Sequence, residues 1–324
     1  MISVRLCFDA QGKPADPDSE EALREILTDP QTLTWIDVDR DDLESLGPYE
    51  DLIHLHPLAI EDASSEHQRP IVSRYDGTVF LVLYELVRPE RDEYIRGFPI
   101  SFFVGKNYVV TARDVERSTL DDVAQRWQAF TQQVQNRSSG FLLYAIIDSI
   151  VDDYFPIVDL LGDRIEDIES DVLEADRMVS QRDIHQLRKE LFEVRRVLAP
   201  GREVLNELIR RDTPLVDEQT INYFHDVYDH VLRVLDWLDA YREMAGTIFE
   251  MQMAMSSHQL DQTVRTLTVA SIMLMVSSLI AGIYGMNFHR MPELSWTFGY
   301  PLALGLMLLC TALLYLYFRR RRWL

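Results

Sequence analysis

Two uncharged apolar runs close to the C-terminus, residues 266–284 and 297–318, constrain this chain more than any other feature of its sequence. Each approaches the roughly 20 residues that a helix needs to cross about 30 Å of hydrocarbon. Between them lies a short polar segment, residues 285–296, containing Gly285, Met286, Asn287, His289, Arg290, Pro292 and Glu293. It reads as a hairpin tip outside the bilayer. Roughly 260 residues precede the first run, enough for one or two domains with cores of their own.

Charge follows the same division. There are 53 acidic and 32 basic residues, a net charge of -21, and the acids lie almost entirely before the first run. An acidic body argues against nucleic acid as a partner and for cations. Arg319, Arg320, Arg321 and Arg322 directly follow the second run, and Arg265 directly precedes the first. By the positive-inside rule both flanks are expected in the cytoplasm and the tip outside it. The opening Ile2-Ser-Val-Arg-Leu-Cys-Phe8 alternates and lacks the charged and continuously apolar regions of a signal peptide, so the N-terminal part is expected to stay where it is made. Cys7 and Cys310 are then expected to form no disulfide.

Local pattern divides the rest. Residues 1–137 read as a cytoplasmic α/β domain, with strands expected near 3–8, 33–38, 71–75, 79–87, 98–104 and 108–111. Helices are expected near 19–27, 57–63 and 118–133, and turns at Asp76-Gly77 and Gly105-Lys106-Asn107. A small sheet with helices on its faces follows from this order. From 138 to 265 the pattern is helical, with Ser138 or Ser139 as N-cap and three stretches, 139–175, 180–211 and one from about 217. The third shows no Pro before the tip, so it is expected to run unbroken into the first span. The plan is therefore α+β, with long stalk helices, two spans at 266–284 and 297–318, and a basic tail at 319–324.

Stepping by seven along the third helix meets Asp229, Asp236, Glu243, Glu250, Ser257, Val264, Ser271, Ser278 and Gly285. The interleaved row holds Ala240, Thr247, Ala254, Asp261, Thr268, Met275 and Gly282, while Leu235, Leu238, Ile248 and Met255 lie opposite. One face thus changes from acidic to small and hydroxylated. A solvated coiled-coil face explains the acidic half equally well, and small residues also serve close helix packing. Two spans cannot enclose a watery path without exposing it to lipid, so a pore requires an oligomer with one helix per copy lining it. Rings of Asn carbonyls suit the water shell of a divalent ion, and apolar rings at Met275 and Leu267 suit closure by dewetting.

The tip Tyr284-Gly-Met-Asn-Phe288, followed by Met291-Pro-Glu-Leu294, resembles the signature of the CorA family of divalent-cation channels, which includes the ZntB zinc transporters. His56-Pro-Leu-Ala-Ile-Glu-Asp62, Arg69-Pro70 and the Arg319-Arg-Arg-Arg-Trp-Leu324 tail resemble further family segments, with Ile71 where many members have Lys. The resemblance implies a funnel-shaped homopentamer in the bacterial inner membrane with both termini cytoplasmic. It implies Asn287 at the pore mouth, Gly285 and Met286 shaping it, and Ser278, Met275, Ser271, Leu267 and Val264 along the path. It also implies regulatory metal on stalk acids, with Asp226 and Glu250 as candidates.

One departure bears on the ion. His289 stands where enterobacterial magnesium members carry Glu, followed by Arg290, and Glu293 is the loop's one acid. A neutral imidazole suits Zn²⁺, Co²⁺ or Ni²⁺ better than Mg²⁺, which raises zinc or nickel transport, outward included. His54 and His56 form an H-x-H pair with metal-ligand spacing. No G-x-S-x-G, P-loop or zinc-protease motif is present, so a transporter with divalent cations as substrate and regulator is expected rather than an enzyme with a resident cofactor. A membrane-anchored metal sensor or scaffold that conducts nothing is the alternative.

Overall fold

A computed structural model of the chain describes residues 3–8, 15, 17, 19–65, 68–75, 77–88, 94–114, 120, 123–124, 127, 138–174, 181–210, 215–286, 296–321 and 323. They fall into two compact units, Met1–Ile248 and Phe249–Leu324. The first opens with β1 (Ser3–Phe8), α1 (Glu20–Thr28) and β2 (Leu33–Asp39). A 3-10 stretch (Arg40–Tyr49), α2 (Glu50–Ile53) and α3 (Pro57–Ser64) follow, then β3 (Ile71–Tyr75), β4 (Thr78–Val87), β5 (Arg96–Val104) and β6 (Tyr108–Arg113). Helices α4 (Ser139–Asp152), α5 (Tyr154–Glu174), α6 (Gln181–Ile209) and α7 (Glu218–Tyr284) come next, and α8 (Gly299–Arg320) ends the order.

The six strands form one sheet in the order β1-β2-β6-β5-β4-β3, antiparallel except between β2 and β6. Central strands are buried on both faces, which is why β4 reads Thr-Val-Phe-Leu-Val-Leu-Tyr-Glu-Leu-Val rather than as a clean alternation. On one face Ile36, Val38, Phe80, Val82, Phe103 and Val110 share a core with Leu23 and Leu27 of α1 and Ala59 and Ala63 of α3. Helices α4 and α6 pack against the strands as well.

The parallel β2/β6 pairing is fastened by charge. Arg113 is fully buried and donates to Asp37 from Nε at 3.0 Å and from Nη2 at 2.8 Å. Asp37 also accepts from Thr111 Oγ1 at 2.7 Å and from Arg5 Nε at 3.0 Å. One carboxylate thus ties three neighbouring strands.

Local chemistry explains most boundaries. Ser19 caps α1 by accepting from Ala22 N at 3.2 Å, and Ser138 caps α4 by accepting from Phe141 N at 3.2 Å. The turn after β5 is closed by Asn107, whose Nδ2 donates to Leu27 O at 3.0 Å and Asp29 O at 2.9 Å, satisfying the C-terminal carbonyls of α1. Gly77 has φ +88, the left-handed region that the β3–β4 turn needs.

One expectation is corrected, and one element was not among those read from the sequence. The stretch 139–175 is two helices, α4 and α5, divided at Asp153. Pro156 supplies the reason, since it lacks the N–H for a bond to residue 152 and its ring crowds that carbonyl. The helical turns at 40–53 were not expected, although Leu43, Leu46, Tyr49 and Ile53 recur every three or four residues and form their buried side; Asp39 starts them by accepting from Asp41 N at 2.9 Å. Helices α4 to α6, and α7 as far as Ile248, cluster with the sheet in the first unit. The helix expected at 118–133 lies largely outside the described residues.

The second unit holds the rest of α7 and α8. Helix α7 is continuous for 67 residues, about 100 Å at 1.5 Å per residue. Both helices contain an 18-residue window of mean hydropathy 2.0, of which only 6% in α7 and 11% in α8 is buried within the chain. A soluble core helix would be mostly buried, so these two are long, apolar and open in the way membrane spans are.

Candidate functional site

The apolar part of α7 has two opposite faces. Val269 is buried and Ile272, Met273, Val276, Ser277, Ile280 and Tyr284 are half-buried, a set at helical spacing. Ser277 marks what this side meets, with its Oγ 3.3 Å from Thr311 Oγ1 of α8 and also donating to Met273 O at 3.1 Å. The residues expected along the path, Val264, Leu267, Ser271, Met275 and Ser278, are all exposed, as are Gly282 and Gly285. At about 100° per residue these seven fall within a stripe about 80° wide, centred roughly opposite the side that meets α8. Gly285 and Met286 end the helix, with Gly285 N donating to Ala281 O at 2.9 Å and Met286 N to Ile283 O at 3.3 Å. Asn287, His289, Arg290 and Glu293 lie outside the described residues.

In the first unit, packing of α4 against α7 gathers three groups that sequence alone did not select together. Asp148, Asp152 and His230 each offer a ligand atom, all within 4.8 Å of one another. His230 Nε2 is also 3.9 Å from Asp226 Oδ2, so one of the two stalk acids singled out from the sequence stands beside the cluster. The other, Glu250, is exposed and belongs to the second unit. The i, i+4 spacing of Asp148 with Asp152 and of Asp226 with His230 was legible; that the two pairs face each other was not.

The electrostatics suit a cation. Burial, and then the Asp152 carboxylate, push the Asp148 carboxyl up to about 6, against the opposing effects of His230 and of the Tyr144 hydroxyl that donates to it at 3.4 Å. His230 Nδ1 is buried without a hydrogen-bond partner among the described residues. Two carboxylates with an imidazole form a donor set that Co²⁺ accepts readily and Mg²⁺ accepts through oxygen and water.

A melting experiment on the full-length protein checks this cluster. Co²⁺ at a hundred times its dissociation constant is expected to raise Tm by about 5 °C. Because the folded-state value of Asp148 is raised, the folded chain holds a proton between pH 3.8 and about 6 that the unfolded chain has lost. Stability from this group therefore falls as pH rises through that window, and a cation restores it at neutral pH. Asp148→Asn should raise Tm without metal and abolish most of the Co²⁺ shift; an undiminished shift would remove Asp148 from the ligand set.

His56 accepts from Leu58 N at 3.2 Å as the N-cap of α3 and stacks on Tyr75 at 4.1 Å between ring centroids. His54 ends α2 with φ 49.

An α+β unit whose last helix continues into the first of two apolar, membrane-length helices defines a two-span membrane protein. The chain belongs to the CorA family: the model of the CorA-like Mg²⁺ transporter protein family matches residues 30–320. The cobalt/magnesium transport protein CorA of Thermotoga maritima is 32% identical over 300 residues, covering 91% of this chain and 85% of that one. The protein of the same name from Methanocaldococcus jannaschii is 26% identical over 306 residues, covering 94% and 95%. The complete structure of the CorA magnesium transporter from Methanocaldococcus jannaschii shares the fold, with a TM-score of 0.78 at 22% identity over 96% of this chain and 95% of that chain. The family is one of transporters and not of enzymes.

Proposed function

We propose that this chain is one protomer of a homopentameric channel carrying divalent cations, Mg²⁺ and Co²⁺ foremost, across the bacterial inner membrane, with both termini cytoplasmic. The observation that carries the reading is the two-sided first span. Its half-buried side meets α8, and its opposite side presents Val264, Leu267, Ser271, Met275 and Ser278 with no cover from its own chain. Hydroxyls and small side chains on an open face of a span have a physical use when copies close around water. Asn287 then stands at the mouth, where its amide oxygen accepts from the water shell of the ion, and Gly285 and Met286 shape the ring. Mg²⁺ gives up its waters reluctantly, so recognition through the hydration shell suits it.

The ion preference is supported by the name of the Thermotoga maritima relative, a cobalt/magnesium transport protein. A second reading, Zn²⁺ or Ni²⁺ transport with export among its directions, rests on His289 and Arg290 in the loop. The cluster at Asp148, Asp152 and His230, with Asp226 beside it, gives the cytoplasmic part a place to sense the transported ion.

The test is flux in vesicles holding the purified protein, with Mg²⁺ competing against Zn²⁺ and the gradient imposed in each direction. Mg²⁺ and Co²⁺ are expected to enter and to inhibit one another, and Asn287→Ala is expected to abolish the flux or its selectivity. Preferred Zn²⁺ movement would favour the second reading. If no divalent ion moves while metal still raises Tm, the chain is a membrane-anchored sensor.

A further inference from the structure

The end of α8 carries a surface that conduction does not require. Arg319, Arg320 and Arg321 follow directly on the apolar run, are exposed, and have no ion-pair partner among the described residues. Arg321 lies over the Tyr317 ring at 5.5 Å. Trp323 folds back on the helix, its backbone N–H donating to Phe318 O at 3.0 Å and its ring 5.6 Å from that of Phe318. Arg265 of α7 sits over Trp323 at 5.9 Å and pairs with Asp261 at 2.6 Å. Trp323 therefore touches both helices where their apolar stretches end.

A cation in the last turn of a helix is favoured by the helix dipole, which accounts for Arg319 and Arg320 but asks for no third arginine beyond them. Three exposed guanidinium groups in a chain of net charge -21, held beside a Trp and a Tyr, match the depth at which phospholipid phosphates lie. We propose that this end of α8 binds the headgroups of acidic phospholipids, with Arg319, Arg320 and Arg321 donating to the phosphate and Trp323 as the apolar floor beneath it. Since Trp323 is also held by Arg265, an occupied site steadies the second span against the first. The inference rests on reading α7 and α8 as membrane spans.

Full-length protein is reconstituted in vesicles that mix phosphatidylglycerol with phosphatidylcholine, washed with alkali, extracted in mild detergent, and its retained lipids are quantified by mass spectrometry. Resistance to the wash tests the spans alone. The retained lipid should be enriched in phosphatidylglycerol over the bulk ratio, and each Arg→Gln change should reduce that enrichment by up to about fivefold. The triple variant Arg319→Gln, Arg320→Gln, Arg321→Gln should return to the bulk ratio, while the triple Lys variant stays enriched. If the triple Gln variant does not accumulate, Arg320→Gln alone carries the comparison. Bulk-ratio lipid on the wild type, undiminished enrichment in the Gln variants, or displacement of the lipid by inorganic phosphate would each overturn the proposal.

Discussion

Ser278→Phe is expected to stop divalent-cation flux almost completely, by about a hundredfold or more, while leaving the protein folded and assembled. Ser278 lies on the stripe opposite the side of α7 that meets α8, so enlarging it disturbs no contact within the chain. If five copies turn this stripe toward a common axis, five aromatic rings meet at one level and replace hydroxyls with an apolar plug. The paired control is Leu308→Phe on α8, where the side chain is 72% exposed. That change should leave flux as it was. Both variants are compared in the same vesicles with an entrapped Mg²⁺ indicator. Equal flux through Ser278→Phe and wild type would turn the stripe away from the ion path.

The second large effect falls on folding. A Cβ on Gly140 would lie 2.2 Å from the carbonyl oxygen of Leu215 and 3.1 Å from its carbonyl carbon, both backbone atoms. Helix α4 has no freedom to slide away, because Ser138 caps it and Ser139 Oγ donates to Gly105 O at 2.6 Å. The segment at Leu215 must move instead, yet it leads straight into α7, whose first turn is held by Asp217 accepting from Thr220 N at 2.7 Å. Overpacking of this kind costs about 3 kcal/mol, and Gly140→Ala is expected to lower Tm by about 6 °C or more. Gly246→Ala supplies the contrast. It is helical with nothing within 4 Å of its added Cβ, so it should stabilise by about 0.5 kcal/mol. Two glycine-to-alanine changes of opposite sign, read by melting of the full-length protein, separate close packing from helix propensity.

The conformation of Gly140 against Leu215 had no sequence signal, since both atoms of the contact are backbone and the residues are far apart in the chain. The same holds for the buried Asp37–Arg113 pair, which exists because β2 and β6 lie side by side in parallel. By contrast Pro156, which divides α4 from α5, is a local breaker legible in the sequence itself, set within an otherwise periodic apolar stretch.

What the sequence by itself determined is everything that depends on neighbours along the chain. Two runs of hydropathy mark α7 and α8, an unbroken helical pattern joins the stalk to the first span, and steps of three and four residues on that helix put Val264, Leu267, Ser271, Met275 and Ser278 on one face. Helical geometry converts spacing into direction without help from the rest of the fold. The tertiary structure alone decided which faces meet. It put Asp148 and Asp152 of α4 beside Asp226 and His230 of α7. It also turned Ser277 toward α8 while its neighbour Ser278 stayed open. Those choices rest on long-range burial of apolar surface, which the spacing of residues within one helix does not encode.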